Sequence, residues 1–336
     1  MLIVDAHLDL AWNALQWNRD LTCSVNTIRT CEAAAAGKGR GQNTVVMPEL
    51  RAGRVALCFG TLLARSTGNP VAHIDFATPE QAYGTAQGQL AYYRALEAAA
   101  QVKIITDAAA LNAHIQAWAE WDAAGVGDEP PIGIVISMES ADPILSPDQL
   151  DDWWAQGIRL IGPAHYGMGR YAGGTSVEAG LTPLGRDLVR RMAELGIILD
   201  STHFSDRAFW EALEIYPGIV IASHNNCRKL VPHQRQFSDD QIRAIAERGG
   251  VLGVALEVWM LQPGFIKDVR SNTGITLSAA ADHIDDICQL TGSSRHADIG
   301  SDLDGGFGRE QSPVDLDTVA DLQKLAELLA RRGYTN

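Results

Sequence analysis

Read from its N-terminus, the chain first offers His7-Leu-Asp9, directly after the apolar run Leu2-Ile-Val4. Two residues apart on a strand, an imidazole and a carboxylate point to the same face, and one cation can take a nitrogen from the first and an oxygen from the second. Two further histidines close runs of like form: His203 ends Gly196-Ile-Ile-Leu-Asp-Ser-Thr-His203, and His224 ends Gly218-Ile-Val-Ile-Ala-Ser-His224. Glu139 follows Ile132-Gly-Ile-Val-Ile-Ser-Met138. An unpaired carboxylate on such an apolar strand is expensive to bury, and a cation on each side removes that cost. The pattern therefore places one metal on His7, Asp9 and Glu139 and a second on Glu139, His203 and His224.

Two cations about 3.5 to 4 Å apart lower the pKa of a shared water toward about 7 and supply hydroxide at neutral pH. Asp302, in Gly300-Ser-Asp-Leu-Asp-Gly-Gly306, is placed to orient that hydroxide and pass its proton to a leaving amine; Asp304 has the same strand parity and is its rival. His165 could donate to the oxyanion at an attacked carbonyl. The donor set suits Zn2+ best and leaves Mn2+, Fe2+ and Co2+ open. There is no Gly-x-Ser-x-Gly elbow, no His-Glu-x-x-His helix and no glycine-rich phosphate loop. The remaining histidines (His73, His114, His233, His283 and His296) read as surface or packing residues, Trp153-Trp154 as helix packing, and Gly167 to Gly174 as a mobile loop.

Something must bring these residues to one place. Eight short apolar runs bounded by turn residues predict strands: 2–8, 55–63, 132–138, 157–162, 197–200, 219–223, 251–256 and 298–301. Helical periodicity lies between most of them, as at Pro183 to Leu195, Asp206 to Ile215, Asp239 to Arg248 and Leu277 to Leu290. Thr182-Pro183 and Ser238-Asp-Asp240 are start signals, and Gly196 and Gly249 are stop signals. Strand then helix, repeated eight times, predicts a closed parallel (β/α)8 TIM barrel of the metallo-dependent hydrolase type, whose functional residues collect at the C-terminal strand ends. The expected extras are a long loop over Cys23 to Arg54 and, over Pro79 to Asp122, two helical stretches around a short Val102 to Thr106 run. Residues 1–336 are taken as one domain.

Asp and Glu number 41 against 27 Lys and Arg, for a formal charge of -14. That balance excludes nucleic acid and anionic lipid as natural partners. No signal peptide or membrane span is visible. Five scattered cysteines without a Cys-x-x-Cys pair argue against a disulfide framework or thiolate site and predict a reducing, cytoplasmic setting.

The chain resembles the membrane (renal) dipeptidase family of the amidohydrolase superfamily, in its soluble bacterial form. The resemblance rests on Asp5-Ala-His-Leu-Asp9, Ser137-Met-Glu139, Arg159-Leu-Ile-Gly-Pro-Ala-His165, Gly180-Leu-Thr-Pro-Leu-Gly185, Asp200-Ser-Thr-His203, Ser223-His224 and Gly300-Ser-Asp-Leu-Asp-Gly305. It implies a two-zinc barrel that cleaves dipeptides, including ones with a C-terminal D-residue, with Glu139 bridging, His165 contacting substrate, and Asp302 rather than Asp304 as acid/base. It also implies that Arg235, in Arg235-Gln-Phe-Ser-Asp-Asp240, binds the substrate's terminal carboxylate, and that the protein forms homodimers. Three features depart from the family: Leu8 where Asn is common, Ser140-Ala141 where Gly-Gly is common, and Leu256-Glu-Val-Trp-Met-Leu261 without the usual aromatic, Asn-rich pattern. The chain stops at Tyr334-Thr-Asn336, where relatives continue with a helix and a Gly-Asn-x-x-Arg segment. Hydrolysis of another amide, a β-lactam or a lactone, and a catalytically silent binding barrel, are the competing expectations.

Overall fold

Runs of Ile, Val and Leu too short for helices form the strands, and each packs its apolar faces between the barrel axis and the helix that follows. A computed structural model describes residues 1–335 except 126, 128 and 267–270. In chain order the strands are β1 (Ile3–Leu8), β2 (Val55–Leu63), β3 (Val102–Ile104), β4 (Ile132–Glu139), β5 (Ile158–Gly162), β6 (Ile198–Asp200), β7 (Val220–Ile221), β8 (Leu252–Val254) and β9 (Ala297–Ile299).

All pairings between these strands are parallel, in the order β7-β6-β5-β4-β2-β1-β9-β8. The two ends of that row meet through a parallel bridge between Ala222 and Leu252, where the Gly253 N–H donates to the Ala222 carbonyl at 2.8 Å. The result is the expected nearly closed eight-stranded barrel. β3 stands off the ring and pairs with the first half of β4, from Val102↔Ile132 to Ile104↔Ile134. The longest register, Leu57↔Gly133 to Leu63↔Glu139, joins β2 to β4 and carries Glu139 up to the mouth.

The signals that place the helices operate as their chemistry requires. The Thr182 hydroxyl accepts the Gly185 N–H ahead of the helix Pro183–Leu195, and Gly196 caps its far end with φ 72°. Ser238 and Gln241 form a reciprocal capping box before the helix Asp239–Glu247. Buried faces of these helices, with Phe209, Phe237, Trp118 and Trp153, make the layer between helices and sheet.

One expectation needs correction. The stretch 23–54 is not a plain loop: it holds the helices Val25–Cys31 and Met47–Ala52, the first capped by Ser24 and the second begun by Met47-Pro48. Their apolar residues Val25, Ile28, Met47 and Leu50 are buried, which is why the segment folds down instead of hanging free. The glycine-rich segment 167–174 is held by its own backbone. It turns back on itself through Gly167 N–H to Thr175 O, Gly169 N–H to Ala172 O and Gly174 N–H to Gly167 O. The insertion after β2 is as expected, with helices Pro79–Ala98 and Ala108–Ala124 around β3. No described helix is long and apolar enough to cross a membrane.

Candidate metal centre

The C-terminal ends of β1, β4, β6, β7 and β9 converge, and side chains from distant parts of the sequence meet at the mouth. Glu139 is the point of contact. Its Oε1 lies 3.0 Å from His203 Nε2 and 3.2 Å from His224 Nε2, while Oε2 lies 3.7 Å from His7 Nε2. His7 Nε2 is in turn 3.7 Å from Asp9 Oδ2 and 3.9 Å from Asp302 Oδ1. Ligating atoms lie within 4.8 Å of one another in His7–Asp9–Glu139, in Glu139–His203–His224 and in His7–His224–Asp302. The structure thus brings together all five residues read from the sequence as ligands, with Asp302 beside them.

The local backbone explains how. His203 (φ 66°) and Asp302 (φ 56°) adopt the left-handed conformation just past their strands, at a cost of about 1–2 kcal/mol each for residues with a Cβ. Buried carboxylates hold those strand ends in place. Asp200 accepts the N–H groups of Thr202 and Ser223, and Asp5 accepts those of His7 and Ser301. Gly305 leaves room for the Asp302 carboxylate, into which any Cβ at that position would run.

Hydroxyls meet the outer nitrogens of the three imidazoles: Thr61 at His7 Nδ1 (3.4 Å), Thr175 at His203 Nδ1 (3.0 Å) and Ser223 at His224 Nδ1 (2.9 Å). Ser223 spends its own proton on Asp200 Oδ2 at 2.6 Å, so it accepts from His224 Nδ1–H and leaves the Nε2 lone pair aimed into the cluster. His7 Nε2 and Asp9 Oδ1 are buried without any hydrogen-bond partner. Orphaned polar atoms are rare in a folded interior, and these two belong to side chains whose nearest ion-pair approach, His7 Nε2 to Asp9 Oδ2, is 3.7 Å. The donor set, imidazole nitrogens with carboxylate oxygens around a shared carboxylate, fits a pair of divalent cations.

Burial drives the electrostatics. It pushes the Glu139 carboxyl up to about 8, against the pull of His7. It raises Asp302 to about 7, opposed by His7 and reinforced by Asp9 and Glu257. For His7 burial works downward, but the charges of Glu139 and Asp9 carry it up to about 10. His165, His203 and His224 are held well below the ordinary imidazole range, by burial first and then by neighbouring cations. At His203 and His224 that favours the neutral form able to ligate, whereas His7 would have to give up its proton to a cation.

The cluster floors a cavity of about 350 Å³ whose walls include Trp12, Lys38, Arg65, Tyr166, Arg235 and Met260. His165 Nε2 reaches to 3.6 Å from Glu139 Oε1. Arg235 is buried; it donates to Asn225 Oδ1 (2.6 Å) and to the His224 carbonyl (2.8 Å), and its Nε has no partner. Among the described residues no carboxylate pairs with it. Asp304, the rival of Asp302, is turned away: it accepts N–H bonds from Thr44 and Val45 and lies 3.5 Å from Arg19. Its work is to anchor the segment after β1. The other histidines stay out of the cluster, His114 on the Ala56 carbonyl and His283 accepting the Cys227 N–H. Arg65 and Asp75, which form an ion pair at 3.1 Å beside His165, belong to no motif in the sequence. Only a charged residue just past an apolar strand, at Ala64-Arg65, hinted at them.

Fold and site together define a parallel β/α barrel with a carboxylate-bridged imidazole cluster suited to divalent metals. A family-wide sequence comparison matches residues 1–336 to Membrane dipeptidase (Peptidase family M19), and the chain belongs to that family. An uncharacterized Klebsiella pneumoniae protein encoded in the pqqA 5' region is 32% identical over 55% of this chain and 68% of its own length. A similar Acinetobacter calcoaceticus protein from a PQQ-III 3' region is 30% identical over 47% of this chain and 51% of its own. The dipeptidase tcpJ of Claviceps purpurea is 29% identical over 53% of this chain and 40% of its own. The chain thus spans about half the length of curated relatives it matches. Among solved structures, a Rhodobacter sphaeroides metallo peptidase liganded with a phosphinate mimic of L-Ala-D-Ala superposes with TM-score 0.75 at 22% identity, covering 100% of this chain and 94% of that one. The probable dipeptidase PvdM of Pseudomonas aeruginosa superposes at 0.73 with 20% identity, covering 100% and 90%. These two likenesses bear on the fold.

Proposed function

We propose that the protein is a metal-dependent dipeptidase in which His7, Asp9 and Glu139 hold one divalent cation and Glu139, His203 and His224 hold a second. The carrying observation is the Glu139 carboxylate, buried and shared between His7 on one side and His203 with His224 on the other. A buried carboxylate and three imidazoles in that arrangement are costly alone and favourable around cations. Bound there, two such ions, Zn2+ by the donor chemistry, supply Lewis acidity and a water whose pKa falls toward about 7.

The protein's own groups do the rest. Asp302, a carboxylate at the cluster's edge, accepts the proton of the attacking water and delivers it to the leaving amine. His165 donates from Nε2 to the oxygen of the scissile carbonyl as charge develops there. Arg235, buried without a carboxylate, receives the substrate's terminal carboxylate in a two-pronged ion pair. A cavity of this volume with that charge in its wall suits a short peptide. The family likeness and the phosphinate complex of the Rhodobacter protein support the same substrate class, including a C-terminal D-residue.

Metal quantification alongside a dipeptide and tripeptide panel tests this reading. Two bound equivalents and cleavage of dipeptides alone are expected. Activity that survives complete chelation overturns it. Arg235→Ala separates peptides from neutral esters: it abolishes binding of the carboxylate-bearing substrate and spares the ester.

A further inference from the structure

Four imidazoles line the centre, yet the proposed chemistry needs three as ligands and one as a proton donor. Nothing in the residue type distinguishes them. What differs is the group on the outer nitrogen. His7, His203 and His224 each present Nδ1 to a hydroxyl, of Thr61, Thr175 and Ser223 respectively, and a hydroxyl can accept. His165 Nδ1 instead meets Arg65 Nη1 at 2.7 Å. A guanidinium only donates, so that nitrogen must carry the lone pair and the proton must sit on Nε2.

We propose that Arg65 is a positioning residue that fixes His165 in the Nε2–H tautomer, making it the donor to the substrate carbonyl and keeping it out of the metal ligand set. Nε2 faces Glu139 Oε1 and the cavity, where a proton serves as donor and where a lone pair would compete for a cation.

Arg65 is itself held rigidly. Its Nη2 lies 3.1 Å from Asp75 Oδ2. The backbones of the two segments are paired, Arg65 N–H to Ile74 O and Phe76 N–H to Arg65 O, both at 2.8 Å. Thr67 closes the other side of Asp75, donating from N–H to Oδ1 (3.0 Å) and from its hydroxyl to Oδ2 (2.7 Å). The Asp75 carboxylate is almost fully buried, so the guanidinium cannot swing to solvent without leaving a buried charge unpaired. The chain Asp75–Arg65–His165 thus delivers one geometry and one tautomer.

The proposal rests on the dipeptidase reading for its kinetic consequence but not for the tautomer, and the test separates the two. In zinc-loaded protein carrying ¹⁵N-histidine, with His165→Gln to assign the signal, His165 should show an unprotonated Nδ1 and a protonated Nε2. Arg65→Met keeps the chain length and removes the donor. It should mix the tautomers and lower kcat about 10- to 100-fold, since a misaligned donor forfeits much of its transition-state contact, while KM and metal content stay at wild-type values. Guanidinium ion added to Arg65→Ala should restore part of kcat. A wild-type His165 protonated at Nδ1 overturns the proposal, as does an Arg65→Met protein whose KM rises while kcat holds. A wild-type enzyme that cleaves no dipeptide, but shows the Nε2–H signal, defeats the function and leaves the tautomer assignment standing. Should Arg65→Met fail to fold, the wild-type spectrum alone decides.

Discussion

Two pairs of neighbouring strands at the barrel mouth carry the same clamp. Between β6 and β7, Asp200 Oδ1 accepts the N–H groups of Thr202 and Ser223, both at 3.0 Å, and Oδ2 accepts the Ser223 hydroxyl. Between β1 and β9, Asp5 Oδ1 accepts the N–H groups of His7 (3.1 Å) and Ser301 (2.9 Å), and Oδ2 accepts the Ser301 hydroxyl. In both, the residue after the serine faces the site: His224 in one, Asp302 in the other. The difference is what the serine does next. Ser223 goes on to accept from His224 Nδ1, whereas among the described residues no hydrogen bond, from Ser301 or any other residue, reaches the Asp302 carboxylate.

A ligand and an acid/base have opposite needs. An imidazole that coordinates must be held in one tautomer and one orientation, so a further hydrogen bond is useful. A carboxylate that shuttles a proton must exchange partners, and a fixed donor would hold it ionised. With the roles proposed for His224 and Asp302, one device fixes both strand ends and the added side-chain contact falls where immobility is useful. Glycines make room for it: a Cβ on Gly253 or Gly300 would overlap the Ser223 carbonyl, so the strands carrying the two clamps can approach only without side chains there.

Substitutions can break or sharpen this contrast. The largest effect is expected where the two halves join: Glu139→Ala should lose both bound metal equivalents, read by elemental analysis, and activity with them. Asp302→Asn should keep its metals and lower kcat about 10²- to 10⁴-fold, the range for loss of general acid/base catalysis. Ser223→Ala frees His224 Nδ1 and should weaken metal binding about 10- to 100-fold in a chelator competition. Ser301→Ala is expected to leave metal affinity unchanged and to lower unfolding free energy by about 1–3 kcal/mol, because it strands one buried acceptor of Asp5. Equal losses of metal affinity in the two serine variants would break the comparison. Retained affinity in Ser223→Ala would show that the Asp200 clamp serves the backbone alone.

Much of this was legible in the sequence. The eight barrel strands lie within a few residues of the apolar runs that predicted them, because a strand buried on both faces must be written as a short, almost continuous hydrophobic run. His7, Asp9, Glu139, His203 and His224 stood out because polar residues at the ends of such runs conflict with burial unless they serve a site. The segments outside the ring were harder. The helices at Val25–Cys31 and Met47–Ala52 are each under two turns, too short for periodicity to register. In the folded-back 167–174 segment Gly173 and Gly174 press against the Ala179 and His165 carbonyls, a closeness that composition alone cannot separate from looseness.

By itself the sequence determined which residues are chemically able to hold metal and that they sit at strand ends, since both follow from residue type and from the short apolar runs that precede them. The resemblance implied the choice of Asp302 over Asp304, and the strand pattern set His165 apart from the other three imidazoles; only the tertiary structure supplies the physical basis of each choice. Both choices depend on partners far away in the chain: Thr44 and Arg19 engage Asp304, and Arg65 engages His165 across 100 positions. A hydrogen bond selects the role of a side chain through the direction of one proton, and folding across those distances sets that direction.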